Sequence, residues 1–414
     1  MLTAVLDRLT SLTSKAFIIG AFVPVLAFAF LNGIVLYLEF GWFRAWAEPQ
    51  ISVAARAFDL VAVLVGLAVV AYVLSSLSAF LQQVLEGQHL WHESWLADRL
   101  RRAQLRSYQE LRAQYREARD AAVRTTKAKS GWTKRLLEAA ERGSQEHRGH
   151  NAYDGLAGAA PAALARLRRH QRKAKPLAVT DLEEAVVQLS AALAGNDVTT
   201  GPTALSQHRL DLLMLFDYAE DEWAERELAL ANRLRARFGT GAVAATAFGN
   251  VGRSMQSYAF SRYRLDLTTF WSRLQPLVQK HQEFYGGLQD AKVQLDFLVL
   301  CAFLSAFSTA VWLVVLPIWA GAWWLLLAVA VLGVVLTRLF YLAATENYVA
   351  FGELVRSSID LYRFDLVDAL RMPRPGSLRD ERVLWDTLRR VSAAGQEEID
   401  LSYRQPDQAK EPQP

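Results

Sequence analysis

Residues 297–337 read FLVLCAFLSAFSTAVWLVVLPIWAGAWWLLLAVAVLGVVLT, without one Asp, Glu, Lys, Arg or His. The run is about twice the ~20 residues that one helix needs to cross a ~30 Å hydrocarbon layer. Pro317 and Gly321 place a turn signal at its middle. It therefore predicts two membrane-spanning helices joined as a hairpin. Two further charge-free stretches, 16–38 and 60–85, each suit one span. Lipid offers the backbone no hydrogen-bond partner, so all four segments should be helical.

Working outward, the chain predicts an all-α integral membrane protein. Its four transmembrane helices form two hairpins that flank a cytoplasmic antiparallel helical bundle, with long stalk helices continuous with the spans. The expected divisions are 1–85 (first hairpin, with an N-terminal interfacial helix), 86–295 (cytoplasmic helical domain) and 296–342 (second hairpin). Membrane-proximal cytoplasmic helices follow over 343–392, then a disordered tail over 393–414. The interfacial helix rests on an apolar stripe of Leu2, Val5, Leu6, Leu9 and Leu12 opposite Asp7 and Arg8. The first span is too long for a cleaved signal peptide and reads as an uncleaved anchor.

Lys and Arg near the span ends set the orientation. The 309–337 turn region has none, and the 39–57 loop has only Arg44 and Arg56. Arg99, Arg101, Arg102 and Arg106 follow the second span, and Arg338 and Arg356 follow the fourth. Both termini and the central region should thus be cytoplasmic. The Ala-, Leu- and Arg-rich composition is of bacterial type, which makes the expected location the cell inner membrane.

Residues 86–122 contain no Pro and only Gly87, and predict a helix that carries the second span about 50 Å into the cytosol. A matching stalk over 262–295 should kink at Pro276 and at Gly286–Gly287. Between the stalks, Thr180 and Glu183 form a capping box, and residues 203–238 read as one helix ending at Gly239. A helix over 347–370 should follow the fourth span, then one over 378–391 capped by Ser377. Sustained alternation of apolar and polar residues is absent, so no strands are expected.

Several patterns bear on chemistry. Gly239–Ala244 fits G-x-G-x-x-A but follows a helix instead of a strand, so it reads as a helix stop and not a dinucleotide site. His89 and His92 share a helix face without an evident third ligand, and Glu146, His147 and His150 lie in a loop; neither group is read as a metal site. The acidic stretch 217–227 is a solvated face with Glu222 and Arg226 at ion-pair spacing. The lone Cys301 falls inside a span and reads as a packing residue. No cofactor, metal or catalytic residues are assigned, and the chain is read as non-enzymatic.

Residues 247–249 (Ala-Phe-Gly) precede Arg253–Ser254 at the same spacing as 350–352 (Ala-Phe-Gly) precede Arg356–Ser357. Downstream, Tyr263–Arg264–Leu265–Asp266 parallels Tyr362–Arg363–Phe364–Asp365. Shared helical composition is the plainer account and duplication the alternative. The expected function is a membrane scaffold or sensor whose cytoplasmic helices mediate self-association or bind an unidentified protein. Its partner-binding residues are Arg262, Tyr263, Arg264, Asp266, Tyr362, Arg363 and Asp365. The basic loop Arg166, Arg168, Arg169, Arg172, Lys173 and Lys175 lacks interleaved aromatics, and suits anionic lipid headgroups better than nucleic acid. The rival reading is a homo-oligomeric passive channel lined by Asn32, Ser75, Ser78 and Ser305. A membrane-embedded enzyme of unstated type is the third.

Overall fold

The computed structural model describes residues 15–47, 53–88, 95–146, 178, 180–184, 187, 202–239, 243–319 and 323–394. The N-terminal stripe, the basic loop, His89 and His92, the Glu146–His147–His150 group and the tail from 395 onward lie outside the described side chains. Among the described residues every regular element is a helix. The helices are α1 (Val23–Glu39), α2 (Gly41–Ala47), α3 (Val53–Ser76), α4 (Ser78–Glu86), α5 (Trp95–Glu146), α6 (Pro202–Arg237), α7 (Ala247–Tyr263), α8 (Leu267–Gln279), α9 (Gln282–Trp319), α10 (Trp323–Ala369) and α11 (Leu378–Ala394). Four segments are long and apolar enough to cross a membrane: Ile18–Glu39, Phe58–Ser76, Gln282–Trp319 and Trp323–Ala369.

The chain divides into two compact units. One comprises Met1–Leu105 with Arg235–Pro414, the other Arg106–Leu234. In the first unit α9 and α10 form the closest hairpin, because Gly333 presses against the Thr309 side chain, where a Cβ would overlap it. Asn32 of α1 ties that helix to α9, donating to Ser308 Oγ at 3.2 Å and accepting from Trp312 Nε1. Outward faces stay apolar, with Val65 58%, Val334 61% and Ile318 69% exposed.

Three helix irregularities have local causes. A π turn, Ile18–Phe22, precedes α1. Pro24 lacks an N–H and its ring crowds the carbonyl four residues back, at Gly20, so the turn widens. Between α3 and α4, the Ser76 hydroxyl donates back to the Tyr72 and Val73 carbonyls and Leu77 takes ψ 0°. After α4, Gly87 adopts φ +76° while Gln88 N–H bonds the Gln83 carbonyl, a Schellman stop.

That stop corrects the expected stalk: the helix from the second span does not continue through residue 122, because Gly87 ends it and α5 starts anew at Trp95. The stalk before the third span also breaks elsewhere than expected. It breaks at Arg264 (φ 67°) and Lys280, while Gly286 and Gly287 remain helical within α9. Pro276 sits inside the last turn of α8. Continuity with a span holds for α9 and α10, which run unbroken into their polar halves. Ser377 caps α11 as expected, its Oγ accepting from Asp380 N–H.

In the second unit α5 and α6 pack antiparallel, since contacts on α6 descend as those on α5 rise. Tyr115 bonds Glu227, Thr126 bonds Glu220, and Trp132 stacks on Phe216 at 5.8 Å. Small Ala118 and Ala121 make room for Trp223. Lys129 is held by Asp217 at 2.6 Å and Glu220 at 2.7 Å. Its hydrogen bond lowers the Glu220 pKa. Arg226 lies over the Trp223 ring at 5.4 Å, in place of the expected spacing partner Glu222.

Candidate functional site

Helices α7 and α10 run side by side in the same direction, and their partners rise together. Phe248 stacks on Tyr348 with 4.4 Å between centroids, Arg356 donates to Ser254 Oγ at 2.6 Å, and Tyr258 donates to Asp360 at 2.7 Å. Gly249 and Gly252 let the α4 end approach α7; a Cβ on Gly252 would lie 2.7 Å from Glu86 Oε1 and 2.9 Å from the Tyr348 hydroxyl. The helices that carry the two Ala-Phe-Gly segments therefore pack together, but the segments themselves are inequivalent. Arg253 is exposed and Ser254 buried, whereas Arg356 is buried and Ser357 exposed. One residue is ~100° around a helix, so the matching letters face different surroundings.

Arg356 is 3% exposed. Its guanidinium donates to the Arg235 carbonyl at 3.3 Å, pairs with Glu353 at 2.5 Å and lies over the Tyr258 ring. A cation on the last carbonyls of α6 complements the negative helix end. Further along, Asp360 accepts from both Tyr258 and Tyr263, the latter at 2.8 Å. Burial, then the bond to Asp360, pushes the Tyr263 hydroxyl up to about 12. Arg363 lies 4.4 Å over the Tyr263 ring and donates to Glu381 of α11 at 2.8 Å. Glu381 also accepts from Trp385 Nε1.

Of the residues singled out in the sequence, Tyr263 and Arg363 thus serve this internal clamp. Tyr362 stacks on His281 at 4.6 Å, Asp266 caps α8 through Thr268 N–H, and Asp365 is half-buried. Burial opposes ionisation of Asp266, yet the bonds from Thr268 and Thr269 outweigh it and hold the carboxyl below its usual range. Arg262 and Arg264 remain on the surface. There α11 adds cations that local sequence reading missed. Arg382 donates to the Arg262 carbonyl at 3.0 Å, and Arg264 and Arg389 both lie over the Phe260 ring, at 5.0 and 5.6 Å. The signal available was only the Arg spacing on α11, which does not say what it faces.

Glu86, at the end of α4, is the other notable carboxylate. Burial raises its pKa, against the hydrogen bonds from Tyr348 and Gln88 and the nearby charge of Arg253. Below the ordinary glutamate range both folded and unfolded chains carry the proton. As pH rises the unfolded chain loses it first, so stability falls until the raised folded value is passed. Glu86→Gln keeps an acceptor for the Tyr348 hydroxyl and removes this penalty. Melting temperatures from pH ~4 to ~8 should therefore decline more for wild type than for the variant, and parallel curves would refute the assignment.

Of the four candidate pore residues, Asn32 bonds α9, and Ser305 is 2% exposed with no partner for its hydroxyl among the described residues. Ser75 and Ser78 line a cleft of about 250 Å³, with Phe17, Gly20, Leu74, Asp296 and Val299 among its other walls. Cys301 is buried. The described residues contain no cluster of three or more His, Cys, Asp or Glu placed to hold a metal ion. The cations Arg166, Arg168, Arg169, Arg172, Lys173 and Lys175 are outside the described residues. Comparison with protein-family models, curated proteins and solved structures finds no match to this chain.

Proposed function

We propose that this protein is a membrane-anchored scaffold of the cell inner membrane, with both termini cytoplasmic, whose cytoplasmic helices dock an acidic segment of a protein partner. The membrane placement is supported by the four apolar helices and by their exposed Val and Ile faces, which lipid accepts and water penalises. The carrying observation for docking is the group Arg262, Arg264, Arg382 and Arg389: Arg382 bonds the Arg262 carbonyl, Arg264 and Arg389 share the Phe260 ring, and Asp386 answers only Arg389 among the four, at 3.2 Å. The Asp360 clamp fixes the backbone beneath it, so binding would order few side chains. Guanidinium groups suit carboxylates because their planar fork pairs two oxygens at once. Asn32 and Ser305 are engaged or buried within one chain, which favours this reading over a pore lining.

The test is a labelled oligoglutamate peptide titrated against the full detergent-solubilised chain by fluorescence anisotropy. The double variant Arg262→Ala/Arg264→Ala should weaken binding about five- to tenfold, as expected for two exposed charges. Added salt should weaken the wild type likewise. Arg119→Ala, an exposed cation of the other unit, should change nothing. Equal losses in all variants, or binding insensitive to salt, would defeat the proposal.

A further inference from the structure

The cleft beside Ser75 and Ser78 has a composition that the scaffold reading does not use. Its lining is mostly apolar, with Phe17, Leu74, Val299 and Leu300, and includes the polar side chains of Ser75, Ser78 and Asp296. Two of its lining residues mark the limits of the charge-free stretches: Ala16 begins the first, and Asp296 is the last charge before the third. Under the proposed topology this is the headgroup level of the cytoplasmic leaflet. The walls are formed where two helices depart from regularity, the π turn Ile18–Phe22 and the bend at Leu77. π turns recur at functional sites.

The polar lining has unspent hydrogen-bonding capacity. Among the described residues the Ser75 and Ser78 hydroxyls make no hydrogen bond. Asp296 Oδ1 already accepts from Gln82 Nε2 at 2.6 Å and pairs with Lys292 Nζ at 2.5 Å, which fixes the carboxylate and sets an ammonium beside it. The cleft therefore presents a carboxylate and two hydroxyls among apolar side chains, with the Lys292 ammonium paired to that carboxylate. The complement is a molecule with a donor cation, an adjacent anion and an acyl chain.

We propose that this cleft binds a membrane phospholipid with a primary-amine headgroup, phosphatidylethanolamine being the simplest. Its ammonium donates to Asp296 and a serine hydroxyl, its phosphate lies toward Lys292 beside that carboxylate, and an acyl chain lies along Leu74, Val299 and Leu300. A choline headgroup carries the same charges but has no N–H to donate, so the site distinguishes the two. An anionic headgroup without an amine brings like charge to Asp296 and no donor for it. The inference rests on the membrane placement above and not on the arginine surface.

Native mass spectrometry of the full chain in mild detergent tests it, with phosphatidylethanolamine, phosphatidylcholine and phosphatidylglycerol of identical chains added in equal amounts. Wild type should retain about tenfold more of the ethanolamine lipid than the choline lipid, the discrimination one charge-assisted hydrogen bond provides. Asp296→Asn should abolish that preference. Asp296 also holds Gln82 and Lys292, so Ser75→Leu provides a second arm that fills the slot without touching them; it should lose retention while melting as wild type does. Equal retention of the ethanolamine and choline lipids, preference for phosphatidylglycerol, or a preference surviving both variants would overturn the site. A chain recovered in the soluble fraction without detergent would overturn the membrane placement as well, whereas the lipid ranking tests the cleft alone.

Discussion

Gly249→Ala should lower the melting temperature of the detergent-solubilised protein sharply, although it adds a single methyl group. A Cβ at this position falls well inside contact distance of the Glu86 carbonyl oxygen, 2.9 Å from Thr246 Oγ1 and 3.1 Å from the Glu86 carbonyl carbon. Backbone atoms cannot rotate aside, so α4 and α7 must separate. Separation strains the Glu86–Tyr348 hydrogen bond and the Phe248–Tyr348 stack together. Overpacking of this kind costs about 1–3 kcal/mol and occasionally more. Gly286→Ala is the matched control: it lies in α9 with nothing within 4 Å of the added carbon. There alanine gains up to ~1 kcal/mol in helix propensity, so the melting temperature should hold or rise. If the two variants melt alike, the close approach of α4 to α7 is wrong.

Trp385→Ala should release α11. Trp385 is fully buried, meets the Phe270 ring edge-on at 5.4 Å, and shares a core with Leu274, Ile359 and Leu388. Truncating a buried Trp costs about 3–5 kcal/mol through lost burial and the cavity left behind. Here it also removes one of the two donors to the buried Glu381, leaving Arg363 to hold it. Trypsin should then cut at Arg379 or Arg382 far sooner than in wild type, while Trp385→Phe shows an intermediate rate. Because Arg382 and Arg389 ride on α11, the alanine variant should also bind the acidic peptide less well. Unchanged proteolysis would remove α11 from the core.

Local chemistry made parts of this fold readable. Charge-free runs marked the four apolar helices, and 203–238 is one helix, α6, within a residue at each end. Ser377 marks the start of α11 because capping depends on neighbours a few residues away. The helix stop at Gly87 was less visible: a lone glycine is tolerated in many helices, and only its positive φ with the Gln88–Gln83 bond ends this one. Gly286 and Gly287 show the reverse, staying helical because long flanking segments carry them. The site is legible in the sequence only in part. Residues 262–266 and 362–365 stand out by their likeness to each other, yet Asp360 and Glu381, which join them, belong to neither segment. Which face of α7 meets α10 is decided by small residues and paired polar groups about a hundred positions apart, and no local pattern encodes that register.

Helix α10 continues without interruption from Trp323 to Ala369, about 70 Å at 1.5 Å per residue. A rod that long acts as a lever. Pivoting its apolar half by one degree swings the far end by about 1 Å, enough to stretch a hydrogen bond beyond its useful range. In a bilayer, a mismatch between apolar length and thickness is one force that tilts such rods. Under the proposed membrane placement, the grip of two tyrosines on Asp360 is thereby mechanically linked to the surroundings of residues 323–340, with no loop between them to absorb the motion.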